Sequence, residues 1–141
     1  MKIIISINTA WNIYNFRLNL IKELQKNGHD IIAVAPKDKY VYELEAIGVK
    51  CFDIKLDSKG TNPIIDLGLF SQYYKLYKII KPDIVLSYTI KPNIYGNFAA
   101  HILGIPVVNN ISGLGTLFIN NTLATSIGKF LYKFSLRSSS H

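Results

Sequence analysis

Short apolar runs alternate along the chain with segments in which apolar and polar residues recur every three or four positions. The runs predict β-strands at residues 2–7, 30–35, 49–54, 83–88 and 106–111. The periodic segments predict helices over residues 15–27, 39–47, 64–80, 92–103 and 122–137. The first four of these helices are each followed within two residues by Gly or Pro, which end helices. In the first helix, Phe16, Leu20 and Leu24 form the apolar stripe.

This alternation predicts an α/β fold, a Rossmann-like doubly wound parallel sheet of about five strands with helices on both faces. Right-handed crossovers favour the strand order 3-2-1-4-5, in which the direction of winding reverses between strands 1 and 4. Ligands of such sheets bind at the carboxyl ends of the strands beside the reversal. Two segments flank that point here, "NTAWNIYNFR" (8–17) and "SYTIKPN" (87–93).

The composition and the distribution of charge indicate which classes of partner this protein could bind. The 141 residues suit one compact domain and carry a net charge of +7. From residue 84 onward there are four basic side chains and no acidic one, which favours an anionic partner such as phosphate, nucleotide or a membrane surface. The basic residues form no dense run, so nucleic acid is not expected. A single cysteine and no long apolar run predict a protein of the cytoplasm or of a membrane face.

The first flanking segment has no glycine before its helix, which argues against a dinucleotide cofactor. No cofactor is expected, and His29 and His101 have no neighbouring ligand that would suggest a metal. Arg17 is predicted to lie in the first turn of a helix, where an anion would offset the unfavourable helix dipole. A surface arginine lying over Trp11 or Tyr14 remains an alternative.

In the second segment, Pro92 suits the first helical position, so the amides of residues 93–95 are expected to be free and to point at the crevice. Lys91 would add positive charge there, although a solvated lysine at an ordinary helix start is equally compatible with the sequence. A third polar loop, "NNISGLG" (109–115), follows the fifth strand and exposes backbone amides at its glycines.

The last predicted helix has two different sides. One is apolar, and the other carries Lys129, Lys133 and Arg137 at four-residue spacing. This pattern fits either core packing with a solvated basic face or a helix that lies on anionic lipid.

The three loops, together with "DSKGTNP" and "TIKPNIYGNFAAHILGIPVVNNISGLGTLFI", resemble the N-terminal half of retaining glycosyltransferases of the GT-B fold. Within that group, the chain is similar to family 4-like enzymes that build bacterial surface polysaccharides, including capsule, and lipid-linked oligosaccharides. The resemblance implies that residues 1–141 form the acceptor-binding domain and that a second, donor-binding domain is absent from this chain.

The resemblance also implies a reaction. A nucleotide-sugar, expected to be a UDP-N-acetylhexosamine, would give its sugar to a polyprenyl-diphosphate-linked or polysaccharide acceptor at the inner face of the membrane. The catalytic residues would lie outside this chain. Arg17 and Lys91 would meet phosphate, and the full set of implied substrate-binding residues is Asn12, Tyr14, Arg17, Thr89, Lys91, Asn93, Ser112, Gly113 and Gly115.

One position departs from the family pattern, because Ser112 stands where many members have a histidine. Two other functions stay open. The chain would also fit one half of a UDP-sugar epimerase of the same architecture, or a stand-alone flavodoxin-like binding module.

Overall fold

The computed structural model describes residues 1–57, 60, 62–111 and 133. Five parallel strands form one sheet: β1 (Lys2–Ser6), β2 (Asp30–Ala35), β3 (Lys50–Asp53), β4 (Ile84–Tyr88) and β5 (Val107–Asn110). Their order is β3-β2-β1-β4-β5, as the sequence predicts. β1 pairs with β2 on one side and with β4 on the other, so the predicted reversal lies between β1 and β4.

Four α-helices connect the strands: α1 (Ala10–Lys26), α2 (Tyr40–Ala46), α3 (Pro63–Ile80) and α4 (Asn97–Ile102). A π-helical turn (Pro92–Gly96) precedes α4 and replaces the first part of the regular helix predicted from residue 92. The helix predicted over residues 122–137 lies outside the described residues, apart from Lys133, which is helical and exposed.

Each face of the sheet has its own hydrophobic core. Ile13, Ile21 and Leu44 from α1 and α2 pack on one face with alternate residues of β1 and β2. Tyr73 and Tyr77 of α3 pack on the other face, together with residues of α4. The alternation of side chains along each strand produces this division, because successive residues point to opposite faces.

The second core contains buried hydroxyl groups. Ser6 of β1 is fully buried and shares a hydrogen bond of 2.9 Å with the Tyr73 hydroxyl. Burial raises the pKa values of Tyr73 and Tyr77 well above the ordinary range, so both hydroxyls remain protonated. The backbone of Gly96 lies close by, and a Cβ placed there would come within 3.0 Å of the Tyr77 hydroxyl. A Cβ at residue 96 would therefore require the Tyr77 side chain to shift by a few tenths of an ångström.

The predicted start of the first helix is wrong. The structure begins α1 at Ala10, and Thr9 caps it by accepting a hydrogen bond of 3.1 Å from the Asn12 amide. The predicted apolar stripe is wrong at two of its three positions, because Phe16 and Leu20 are 65% and 38% exposed, whereas Leu24 packs against the core. The buried side instead follows Ile13 and Ile21, with Arg17 halfway between them.

No helix within the described part of the chain is both long and apolar enough to cross a membrane.

Candidate functional site at the sheet reversal

The candidate site is formed where β1 and β4 end side by side. The chain leaves β1 through Asn8 and enters α1 almost at once, whereas it leaves β4 through Thr89 and enters the π-helical turn. β5 ends next to β4, with Asn110 in register with Tyr88. Three chain segments with polar side chains therefore meet at the carboxyl edge of the sheet, which is the position expected for a ligand site.

Arg17 lies in the third turn of α1, not in its first, because the helix starts seven residues earlier. The argument that an anion must offset the helix dipole at Arg17 is therefore wrong, since that dipole acts mainly within the terminal turn. Its position is explained by the helical repeat. With Ile13 and Ile21 four residues away on either side, Arg17 lies on the stripe of α1 that faces the sheet.

The Arg17 guanidinium is held in place by two contacts. Its central carbon lies 4.2 Å from the centroid of the Tyr88 ring, at the end of β4. Its Nη1 donates a hydrogen bond of 3.0 Å to Oδ1 of Asn12. The buried Nε has no hydrogen-bond partner among the described residues. The aromatic partner is thus Tyr88 rather than Trp11 or Tyr14, and the group is half-buried, charged and left with an unsatisfied donor.

Tyr14 contacts a second aromatic ring in the core between α1 and the sheet. Its ring centroid lies 5.4 Å from that of Tyr40, and the side chain packs against the core between α1 and the sheet. Of the residues predicted in the first segment, the structure therefore joins Asn12 and Arg17 by a hydrogen bond, whereas the aromatic partner of Tyr14 is the Tyr40 ring.

Thr89 adopts an unusual backbone conformation. Its φ of 65° lies in the left-handed region, which is costly for a β-branched residue. Its hydroxyl donates to the Tyr88 carbonyl at 2.6 Å, and its own carbonyl accepts from the Asn93 amide at 3.1 Å. The prediction that the Asn93 amide is free is therefore wrong, because the tight turn at Thr89 brings a carbonyl oxygen to it.

The Asn93 side chain is buried and links two segments of the site. It is 1% exposed, and its Nδ2 donates to the Asn110 carbonyl at 3.2 Å. This bond joins the π-helical turn to the end of β5.

Lys91 is also not a free cation. Its Nζ lies 2.8 Å from Oδ1 of Asp66, in an ion pair whose side chains are 11% and 10% exposed. The other carboxylate oxygen of Asp66 accepts a hydrogen bond of 3.0 Å from the Tyr95 hydroxyl. The expectation of uncompensated charge on Lys91 is therefore wrong, because α3 places a carboxylate against it.

Sequence reasoning missed Asp66 and the side chain of Tyr95, whereas Asn8 and Asn109 lie in two of the predicted polar segments but were not among the predicted binding residues. Asp66 gave no distinctive signal, since an acidic residue in the first turn of a helix is expected from the dipole alone. Asn8 follows the end of β1 by two residues, and Asn109 is the last but one residue of β5, so both lie near the carboxyl edge of the sheet. Buried atoms of both side chains have no hydrogen-bond partner among the described residues.

The remaining predicted residues cannot be placed. Ser112, Gly113, Gly115, Lys129 and Arg137 lie outside the described residues. The roles predicted for them, and the anionic membrane surface predicted for the last helix, stay predictions.

A small cavity lies between α1, α2 and strands β2 and β3, mainly on the same face of the sheet as Arg17. It measures about 150 Å³ and is lined by Ala10, Ala33, Ala35, Lys37, Val41, Glu45, Cys51, Phe52 and Asp53. Ligand pockets are usually larger, about 300–1,000 Å³. Burial, with the nearby charges of Glu45 and Asp38, raises the pKa of Cys51 to about 11. The thiol is thus protonated near neutral pH, which agrees with a packing residue rather than a nucleophile.

Comparison with known proteins identifies the family to which this sequence is similar. Residues 2–141 match the model of a family described as "Glycosyl transferase 4-like". An N,N'-diacetylbacillosaminyl-diphospho-undecaprenol alpha-1,3-N-acetylgalactosaminyltransferase from Campylobacter jejuni is 28% identical over 89% of this chain and 35% of the relative. The chain thus spans about a third of the length of that relative.

Solved structures share the fold. MurG from Acinetobacter baumannii matches with a TM-score of 0.61 and 22% identity, over 77% of this chain and 33% of that protein. UDP-GlcNAc 2-epimerase from Methanocaldococcus jannaschii matches with a TM-score of 0.67 and 23% identity, over 100% of this chain and 38% of that protein. These likenesses establish the Rossmann-like architecture of the chain.

Proposed function

The chain belongs to the glycosyl transferase 4-like family, and we propose that it is the acceptor-binding domain of a two-domain GT-B glycosyltransferase. The full-length enzyme would transfer a sugar, with retention of anomeric configuration, from a nucleotide-sugar such as a UDP-N-acetylhexosamine. The acceptor would be a sugar on polyprenyl diphosphate, or a polysaccharide. The Campylobacter relative, whose name specifies a diphospho-undecaprenol acceptor, supports the lipid-linked choice.

The observation that carries this proposal is the placement of Arg17. Placing a guanidinium on the sheet-facing side of a helix costs free energy, because a buried charge loses its hydration. The cost is offset when the group binds an anion. Tyr88 and Asn12 fix the plane of the group, yet the Nε donor remains unsatisfied among the described residues. A fixed guanidinium at the carboxyl edge of the sheet suits a diphosphate, which accepts charge-assisted hydrogen bonds from the guanidinium N–H groups.

Lys91 contributes in a different way from Arg17. Because Asp66 already compensates its charge, its Nζ would add a hydrogen-bond donor near the diphosphate rather than a full unpaired charge. The strained turn at Thr89 lies between them and would present its backbone to the same ligand. The chain's own residues would bind and orient the acceptor, while the donor would be held by the second domain.

We expect Arg17→Ala in the full-length enzyme to weaken the lipid-diphosphate acceptor by about 1–3 kcal/mol, the scale of a hydrogen bond to a charged group. Donor affinity should change little. The measurement is the KM of each substrate, and Lys22→Ala is the matched control, because it removes an exposed cation of the same helix. If the donor KM rises instead while the acceptor KM holds, the site binds the other substrate and the assignment of this domain fails.

An epimerase is the second candidate, because the fold of UDP-GlcNAc 2-epimerase covers the whole chain. The two functions separate in one assay. Formation of an epimerised nucleotide-sugar without any acceptor would favour the epimerase, whereas turnover that requires the lipid-linked acceptor would favour the transferase.

A further inference from the structure

We infer that Asp66 is a positioning residue for the acceptor: its carboxylate, bound to Lys91 and Tyr95, fixes the turn that ends β4 in the shape that receives the diphosphate. This inference rests on the proposed function and adds a residue on α3, outside the loops that flank the sheet reversal. Asp66 touches no reacting atom and would act through the turn.

The geometry of the carboxylate carries the inference. Oδ1 of Asp66 lies 2.8 Å from Nζ of Lys91, and Oδ2 lies 3.0 Å from the hydroxyl of Tyr95. Lys91 precedes the π-helical turn and Tyr95 lies near its end, so a single side chain holds the turn at two points. Because α3 packs on the sheet through Tyr73 and Tyr77, Asp66 ties the turn to the core.

Burial indicates that this contact has a purpose beyond stability. Asp66 is 7% exposed, and its ion pair with Lys91 is almost completely removed from water. Apolar residues of similar size would often replace such a pair without loss of stability, because desolvation cancels much of the attraction between the charges. An ionic contact at this place is better explained by the specific position that it imposes on Lys91.

Tyr95 keeps the role of donor over the whole physiological range. Burial raises its pKa well above the ordinary value, and the neighbouring Asp66 carboxylate raises it further. The hydroxyl therefore stays protonated and continues to donate its hydrogen bond to Oδ2.

The turn itself needs such support. Thr89 has a φ of 65°, and the five residues of the following π-helical turn form a rare type of helix. The left-handed backbone of Thr89 and the π-helical turn both cost free energy, so they persist only where contacts with the surrounding structure hold them in place. Thr89 follows Tyr88, on whose ring Arg17 rests, so a shift of this turn would displace Lys91 relative to the guanidinium. A displacement of about 1 Å in a binding site can cost about a hundredfold in rate.

The test uses the full-length enzyme with two variants that keep the size of the side chain. Asp66→Asn removes the negative charge that pairs with Lys91, and Tyr95→Phe removes the hydrogen bond to Oδ2. A polyprenyl-diphosphate-linked N-acetylated sugar and a UDP-N-acetylhexosamine are the substrates. We expect Asp66→Asn to raise the acceptor KM about tenfold or more, the equivalent of a charge-assisted hydrogen bond, and to change the donor KM less than about twofold. Tyr95→Phe should raise the acceptor KM by a smaller factor.

The second measurement is independent of activity. Amide hydrogen exchange of residues 88–96 should be faster in Asp66→Asn than in the wild type, because the ion pair between Lys91 and α3 is lost and the turn is held less firmly. Asp30→Asn and Tyr74→Phe are the matched controls, since Asp30 is exposed at the opposite edge of the sheet and Tyr74 lies on the same helix as Asp66. Neither control should alter the acceptor KM or the exchange.

The outcomes separate the two claims. An unchanged acceptor KM in Asp66→Asn would overturn the positioning role while the transferase assignment stands. If the wild-type enzyme transfers no sugar to the lipid acceptor, the proposed function fails. The exchange measurement then decides the structural part alone, and unchanged exchange at residues 88–96 would overturn it too.

Discussion

Arg17 and Asp66 carry opposite charges into the two faces of one sheet, and each is compensated differently. Arg17 uses an aromatic ring and a neutral amide, which leave its charge available to a further anion. Asp66 is matched by a cation and a hydroxyl donor, which satisfy both of its oxygens. At the scale of single residues, the first arrangement fits a binding group and the second fits a support.

Cys51 provides a test of local burial. Iodoacetamide should alkylate it slowly near neutral pH and faster as the pH approaches about 11, because burial and neighbouring carboxylates raise its pKa from 9.0 to about 11. Since the folded chain retains this proton above the pH at which an unfolded thiol loses it, the contribution to stability is complete below pH 9 and is lost as the pH rises toward 11. Peptide mapping of the alkylated thiol measures the rate.

The control for this measurement is the chain unfolded in urea, where Cys51 should react as an ordinary thiol. Equal labelling rates in the folded and unfolded chains at neutral pH would contradict the buried environment.

At the scale of the elements, α3 and the π-helical turn limit each other's sequence. Tyr77 lies so near to the turn that a Cβ at residue 96 would come within 3.0 Å of its hydroxyl, closer than most real Cβ contacts. Farther along the same helix, Gly68 is exposed and has no heavy atom within 4 Å of an added Cβ. Packing therefore explains the glycine at residue 96. No contact among the described residues requires a glycine at residue 68.

This difference predicts opposite effects of one substitution. Gly68→Ala should raise the free energy of unfolding by about 1 kcal/mol, the difference in helix propensity between the two residues. Gly96→Ala should lower it by about 1–3 kcal/mol, since the fully buried Tyr77 cannot move aside without strain. Urea unfolding of both variants beside the wild type gives the two values. A stabilising Gly96→Ala would show that the turn and α3 are farther apart than the structure has them.

At the scale of the whole molecule, the described residues form one sheet, and the candidate site lies at its carboxyl edge. It spans 35% of the Campylobacter relative and 33% of MurG, so most of each of those proteins has no counterpart here. Sugar transfer requires donor and acceptor to be held together, and the proximity of the two reactants supplies much of the rate.

The isolated chain of 141 residues should therefore show no sugar transfer from any UDP-sugar to a lipid-diphosphate acceptor. The full-length enzyme, assayed in parallel, is the positive control, and product is measured by mass spectrometry of the lipid-linked sugar. Turnover by the isolated chain would contradict the two-domain proposal and favour a self-sufficient module.

Much of the fold follows from local rules. The apolar runs and the Gly and Pro stops gave all five strands and placed α3 within one residue of its observed start. The strand order follows from the handedness of crossovers, which is the same in nearly all proteins. Local patterns failed at α1. Phe16 and Leu20 have the spacing of a buried stripe but are exposed, whereas the stripe that faces the sheet runs from Ile13 to Ile21 and includes Arg17.

The sequence by itself therefore determined the class of fold, the strand order and the edge of the sheet where a ligand site belongs, because these depend on periodicity and chain direction. Only the tertiary structure decided how each charge is used. Asp66 and Lys91 are 25 positions apart, and Arg17 and Tyr88 are farther still, so no local pattern signals either contact. Partners of buried charges are chosen by the packing of helices on the sheet, and that packing exists only once the chain has folded.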